Sequence, residues 1–174
     1  MQMNRRGSGG VVILAFILIA VSILAMVLHY YQTGFSLKQG LQIPLDRVVN
    51  APTTSVADSN LADALRYMQE NQLTKGNTSY FVKSDKSNDL TYFYNNLLKL
   101  QTELKVAVNN KTQSQLEESN LLMRVREVIS DGGVIKMPAN MAYYPNLMGN
   151  LILSIISWVI LVVGFLTLVV VSKS

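Results

Sequence analysis

The 174-residue chain contains no cysteine, one histidine and one tryptophan. Without cysteine there is no disulfide and no thiol nucleophile. A small domain in an oxidising compartment often relies on disulfides, so their absence favours a bacterial inner membrane over a eukaryotic cell surface. With no cysteine, no second histidine and no carboxylate in its apolar runs, one chain assembles neither a usual metal-ligand set nor a proton path. Charge is scarce as well. Only 15% of residues are charged, against about 25% in an ordinary soluble domain.

The shortage of charge is local. Two runs, Val11–Leu28 and Leu151–Val171, have no charged residue. At about 1.5 Å per residue they span roughly 27 and 31 Å, against a hydrocarbon core about 30 Å thick. A buried helix of a soluble protein is shorter and amphipathic. The first run is longer than the about 7–15 apolar residues of a cleaved signal, and no small-x-small site follows it. His29, Tyr30, Tyr31 and Gln32 follow instead. An uncleaved signal anchor is expected.

The flanks predict orientation. Arg5 and Arg6 precede the first run, Lys173 follows the second, and neither flank is acidic. Cationic flanks stay on the cytoplasmic side. The expected plan is a cytoplasmic tail over 1–10 and a first transmembrane helix over 11–31. An extracytoplasmic domain over 32–146, a second transmembrane helix over 147–171 and a cytoplasmic tail over 172–174 complete it. His29, Tyr30 and Tyr31 would close the first span at the outer headgroup zone, and Tyr143 and Tyr144 would open the second there. The net charge of +4 divides the same way. The flanks contribute +3, leaving 12 basic and 11 acidic residues between them. A nearly neutral domain gives no sign of nucleic-acid binding. Two sequons, at Asn77 and Asn110, matter only in a glycosylating host.

Between the runs the pattern is helical. Residues 32–57 hold Gly34, Gly40, Pro44 and Pro52 without periodicity, which predicts an extended lead-off with a turn near Pro44. A first helix is expected over 59–72, capped by Asp58 or Ser59, with Leu61, Ala64, Leu65 and Met68 on one face. Ser79-Tyr80-Phe81-Val82 reads as a lone strand or packed loop. A second helix follows Ser87-Asn88-Asp89, with Leu90, Phe93, Tyr94, Leu97, Leu100, Leu104 and Val108 at steps of three and four. A third opens on Ser114-Gln115-Leu116-Glu117, a capping box, and stops at Asp131-Gly132-Gly133. The short link between the second and third predicts an antiparallel hairpin. Residues 134–150, rich in Met, Tyr and Pro, are expected to lie against the bilayer interface, with a docking surface as the sharper reading. The fold class is therefore an all-α membrane protein. Two transmembrane helices flank a small extracytoplasmic helical domain made of a hairpin plus one further helix.

The apolar runs carry patterned faces. Ala15, Ser22, Ala25 and His29 share one side of the first; Asn150, Ser154, Ser157 and Gly164 share one side of the second. Small residues admit close backbone approach, and hydroxyls and amides bond across. These eight are the candidate helix-packing residues, and they match in depth if the spans run antiparallel. His29 reads as a polar end-marker.

Catalytic chemistry is not legible. Serines are plentiful in the middle segment, but no histidine or cysteine stands beside them to act as a base. Glu117-Glu118 and Asp58 with Asp63 are the paired carboxylates; adjacent helical positions point apart, and Glu117 has a capping role. No catalytic, cofactor-binding or metal-binding residue is assigned. The expected function is a non-enzymatic structural or assembly subunit of a cell-envelope complex. Its expected partners are the lipid bilayer and other membrane proteins or copies of itself, with no nucleic acid and no small-molecule substrate. A sensory or ligand-binding module working through a partner is the alternative. The short segment after the second run weighs against signalling, and a polymer-export regulator shares the layout by topology alone.

Overall fold

A computed structural model describes residues 8–79, 86–110 and 114–173. The chain is mostly helical and divides into two compact units. One comprises the segments up to Thr33 and from Met148 onward; the other is Gly34–Leu147.

The first unit is a helix pair, α1 (Ser8–Leu37, whose end belongs to the second unit) and α6 (Leu147–Lys173). The helical stretches Val12–Val49 and Met148–Thr167 are long and apolar enough to cross a membrane. Along α1, Val12, Ala15, Ile19, Ser22, Met26, His29 and Thr33 are covered, at alternating steps of three and four. That is one helix face.

The second unit is built from four helices, α2 to α5. Residues 32–57 are not an extended lead-off. The helix continues past Leu37 through a π-helical turn, Lys38–Gln42, into α2, Ile43–Val49. Pro44 explains both why the sequence suggests a break here and why the helix widens. Inside a helix a proline lacks its N–H, and its ring clashes with the carbonyl four residues back, here that of Gly40. Widening the helix just before Pro44 relieves that clash. Gly40 has a second role. A Cβ there would run into the Tyr67 ring, so the widened turn packs directly on α3.

α3 covers Thr54–Glu70 and starts five residues earlier than its periodicity predicts. Its cap is Thr53, whose Oγ1 accepts from the Val56 N–H at 3.3 Å. It packs Ala57, Leu61, Ala64, Leu65 and Met68 inward and touches α2, α4 and α5. α3 is thus the hub: it packs on α4 and α5, which contact each other as neighbours, and on α2, the helix not expected from sequence.

α4 covers Leu90–Asn109, with Asp89 accepting from the Thr91 and Tyr92 N–H groups at 2.8 and 3.2 Å. Its Leu90, Leu97, Leu100 and Leu104 are buried. α5 covers Gln115–Ile129 and opens with the full capping box of Ser114 and Glu117. It ends in a two-residue hairpin, β1 (Ser130–Asp131) with β2 (Val134–Ile135), Ser130 opposite Ile135. Gly132 and Gly133 both take positive φ, 56° and 85°. They form the hairpin turn, which needs two left-handed residues, and not a helix cap. The lone-strand reading falls mostly on residues 80–85, outside the described residues.

The core joins Leu41, Leu45 and Val48 of the first helical stretch to Leu61, Leu65 and Met68, to the α4 leucines, and to Val125 and Ile129 of α5. Met141 is in it too. Between Ile135 and Tyr144 the return segment is part of the core and not a separate surface layer: Met141 is buried, and Ile135, Met137 and Tyr144 pack on the same core. Tyr144 abuts Gly76, where φ is +108° and a Cβ would meet the phenol. The 3-10 turn Met141–Tyr143 follows Asn140, itself left-handed at φ 57°. Met is unbranched and fills irregular core gaps well, which is why a Met-rich stretch without periodicity can still be internal.

Candidate functional site

In the first unit, the contact between α1 and α6 rests on small side chains. Ala15 and Ser22 are 5% and 7% exposed, and Gly164 is buried. A Cβ on Gly164 would stand 2.8 Å from Cγ1 of Ile19 and 3.8 Å from the Ala15 carbonyl oxygen. The Ser22 hydroxyl donates to the Ser157 carbonyl at 3.3 Å. Residue numbers fall along α1 as they rise along α6, so the helices are antiparallel. A missing Cβ allows the close approach, and the hydroxyl finds an acceptor that lipid cannot supply.

The eight sequence candidates divide. Ala15, Ser22 and Gly164 lie in the contact, and Ser157 contributes its carbonyl and is half-buried. His29 and Asn150 are half-buried; Ala25 and Ser154 are exposed. The heptad-like face of α1 takes Met26, not Ala25, because the alternating steps place a four after the three that joins Ile19 to Ser22, reaching Met26 and then His29. Sequence reasoning passed over Ile19 and Met26 because it searched for small residues, and the contact alternates small with bulky ones.

In the second unit the carboxylates serve helix ends. Glu118 reaches from α5 to the start of α3, where its Oε1 accepts from the Thr54 N–H at 2.9 Å and the Thr54 hydroxyl at 3.1 Å. Two turns along, Arg126 Nε donates to the Val49 carbonyl at 3.0 Å, at the end of α2. An anion thus meets a helix N-terminus and a cation a helix C-terminus, the favourable sense for both dipoles. α5 clamps both sides of the α2–α3 corner. Glu117 completes the capping box, its carboxylate accepting from the Ser114 N–H at 2.9 Å. Asp63 pairs with Arg66 at 2.7 Å, both exposed, and stands apart from Asp58 in role. Glu103 of α4 pairs with Arg124 of α5 at 3.1 Å. Among the described residues no three His, Asp or Glu side chains gather as metal ligands. Asn77 of the first sequon is half-buried, its Oδ1 accepting from the Ser79 N–H at 2.7 Å, and Thr78 is fully buried.

A groove of about 610 Å³ opens between the start of α4 and the end of α5. Phe93, Leu97, Val128 and Met137 supply apolar walls, and Lys86 and Lys136 stand at its edge. Lys86 Nζ lies 5.9 Å from the centre of the Tyr92 ring, within cation–π range. Lys136 Nζ donates to the Glu127 carbonyl at 3.0 Å. The short link between the second and third helices already implied that residues 86–97 and 127–138 lie side by side; the groove itself follows from how α4 and α5 cross.

In comparisons with protein-family models, curated proteins and solved structures, nothing matches this chain.

Proposed function

We propose that this protein is a non-enzymatic integral membrane subunit of a larger cell-envelope complex. It works by helix packing within the bilayer and presents Gly34–Leu147 as an extracytoplasmic helical unit. In this reading both ends are cytoplasmic and the membrane is a bacterial inner membrane. The observation that carries the proposal is the α1–α6 contact. Gly164 against Ile19 and Ala15, with Ser22 bonded to Ser157, is packing chemistry suited to lipid surroundings, where apolar surface alone does not drive association. Arg5, Arg6 and Lys173 support the orientation. Cap and corner roles for Glu117, Glu118 and Arg126 support the non-enzymatic reading, because these groups are engaged in holding helices. Partners are the lipid bilayer and other membrane proteins or copies of this chain. Cross-linking and affinity purification of the tagged full chain from native membranes test it. A stoichiometric partner set at constant ratio is expected; recovery of the chain alone under gentle solubilisation would sink it.

The groove favours a second reading, a ligand-binding membrane module acting through a partner. Its volume is in the range of small-molecule sites, about 300–1,000 Å³. A small-solute screen that raises the melting temperature of the purified chain in proportion to ligand concentration would support this reading.

A further inference from the structure

The only tryptophan of the chain sits where tryptophan is least at home. Trp158 lies in the middle of the apolar stretch Met148–Thr167, about 15 Å from either end. Indole rings favour the membrane interface, where the N–H meets water and headgroups. At the centre of a span the N–H meets only hydrocarbon unless protein supplies an acceptor. Trp158 is 60% exposed, beside the covered face that holds Ser157, Leu161 and Gly164. One turn back, Ser154 is exposed too. Neither side chain finds a hydrogen-bond partner among the described residues. Ser154, Trp158 and Phe165 stand at steps of four and seven, so they line one exposed stripe of α6, bordered by Leu161 of the covered face.

We propose that this stripe is the contact between two copies of the chain in the membrane, each copy's Trp158 indole donating to the other's Ser154 hydroxyl. The stripe names its own occupant. It carries a donor and an acceptor one helical turn apart, about 6 Å along the axis, and it is otherwise apolar. A second copy inserts with the same orientation, so its Ser154 and Trp158 lie at matching depths. A two-fold axis along the membrane normal then forms the same bond twice. Lipid tails offer no acceptor at that depth. The proposal rests on α6 crossing the membrane, and the test separates the two claims.

The full chain is reconstituted in phosphatidylcholine vesicles over a range of protein-to-lipid ratios. Trp158 emission is read with lipids brominated deep or shallow in their acyl chains and with aqueous iodide. Energy transfer between donor- and acceptor-labelled copies reports association. Deep bromines are expected to quench Trp158 most strongly at high dilution, and that quenching falls as transfer rises. Ser154→Ala weakens association by about threefold to tenfold. Ile156→Ala, two residues from each partner and on the opposite side of the helix, leaves it unchanged. Deep quenching that ignores protein density, absence of energy transfer, or a Ser154→Ala chain that associates like the parent overturns the dimer while leaving the transmembrane reading of α6 intact. Quenching of Trp158 by iodide and not by bromine overturns both.

Discussion

Glu118 shows how a single side chain carries long-range structure here. Its carboxylate serves the first N–H of a helix 64 positions away in the sequence. Removing a helix N-terminal acceptor typically costs about 0.5–2 kcal/mol, and Thr54 is itself buried, so its N–H has little access to water once Glu118 is gone. Glu118→Ala is expected to destabilise the second unit by about 1–2 kcal/mol in urea unfolding followed by far-ultraviolet circular dichroism. Glu118→Gln keeps an acceptor oxygen and should recover roughly half of that; equal losses for both would show that charge alone matters. Gly40 is a second such residue. Any side chain there collides with Tyr67, and overpacking costs about 1–3 kcal/mol. Gly40→Ala should therefore lower stability, and adding Tyr67→Ala should cost less than the two changes summed, since the second removes the obstacle to the first. Additive losses in that double-mutant cycle would place the two residues out of contact.

Among the elements, the two apolar helices and the Met-rich return segment make the clearest tests. The α1–α6 contact depends on the lack of side-chain bulk at position 164. Ser157→Leu with Gly164→Leu should separate the pair, because a leucine at 164 must occupy space now held by Ile19. Expressing α1 and α6 as separate labelled segments in bilayers and measuring their energy transfer checks this; unchanged transfer would remove the contact from consideration. The composition of residues 134–150 predicts a membrane-surface segment, yet Met141 is 2% exposed within the core. Met141→Ala is expected to cost about 2–5 kcal/mol through the cavity it leaves, against little effect for a surface methionine such as Met123. Similar small losses at both positions would return the segment to the surface.

For the whole molecule, the absence of cysteine turns topology into a direct measurement. A single cysteine at Asn4, in the basic flank, and another at Ser55, exposed on α3, report on opposite sides of the proposed arrangement. In intact cells with a permeable outer membrane, an impermeant maleimide should label Ser55→Cys at once and Asn4→Cys only after the inner membrane is opened. Labelling of both, or the reverse order, overturns the orientation. The same scale explains why a domain with so few ionisable clusters is ordered. Four of its charges, Glu117, Glu118, Asp89 and Arg126, each meet a helix end that needs them, and its apolar residues converge on one helix, α3.

The sequence alone determined what depends on neighbours along the chain. The two uncharged runs, the α4 periodicity from Leu90 to Leu104 and the capping box at Ser114 are local patterns, and each appears where its residues stand. Gly132-Gly133 was legible as a left-handed stop, although its use in a hairpin turn needed Ser130 to meet Ile135. Tertiary structure decided the rest. Pro44 and Gly40 hid a continuing helix, because a π turn and a ring from α3 are invisible to local rules. The early start of α3 depends on a carboxylate from α5. Met141 became core because distant leucines left a space that a flexible side chain fills. The stripe of α6 beside its covered face emerged only once α1 took its place, which left Ser154 and Trp158 outside the contact.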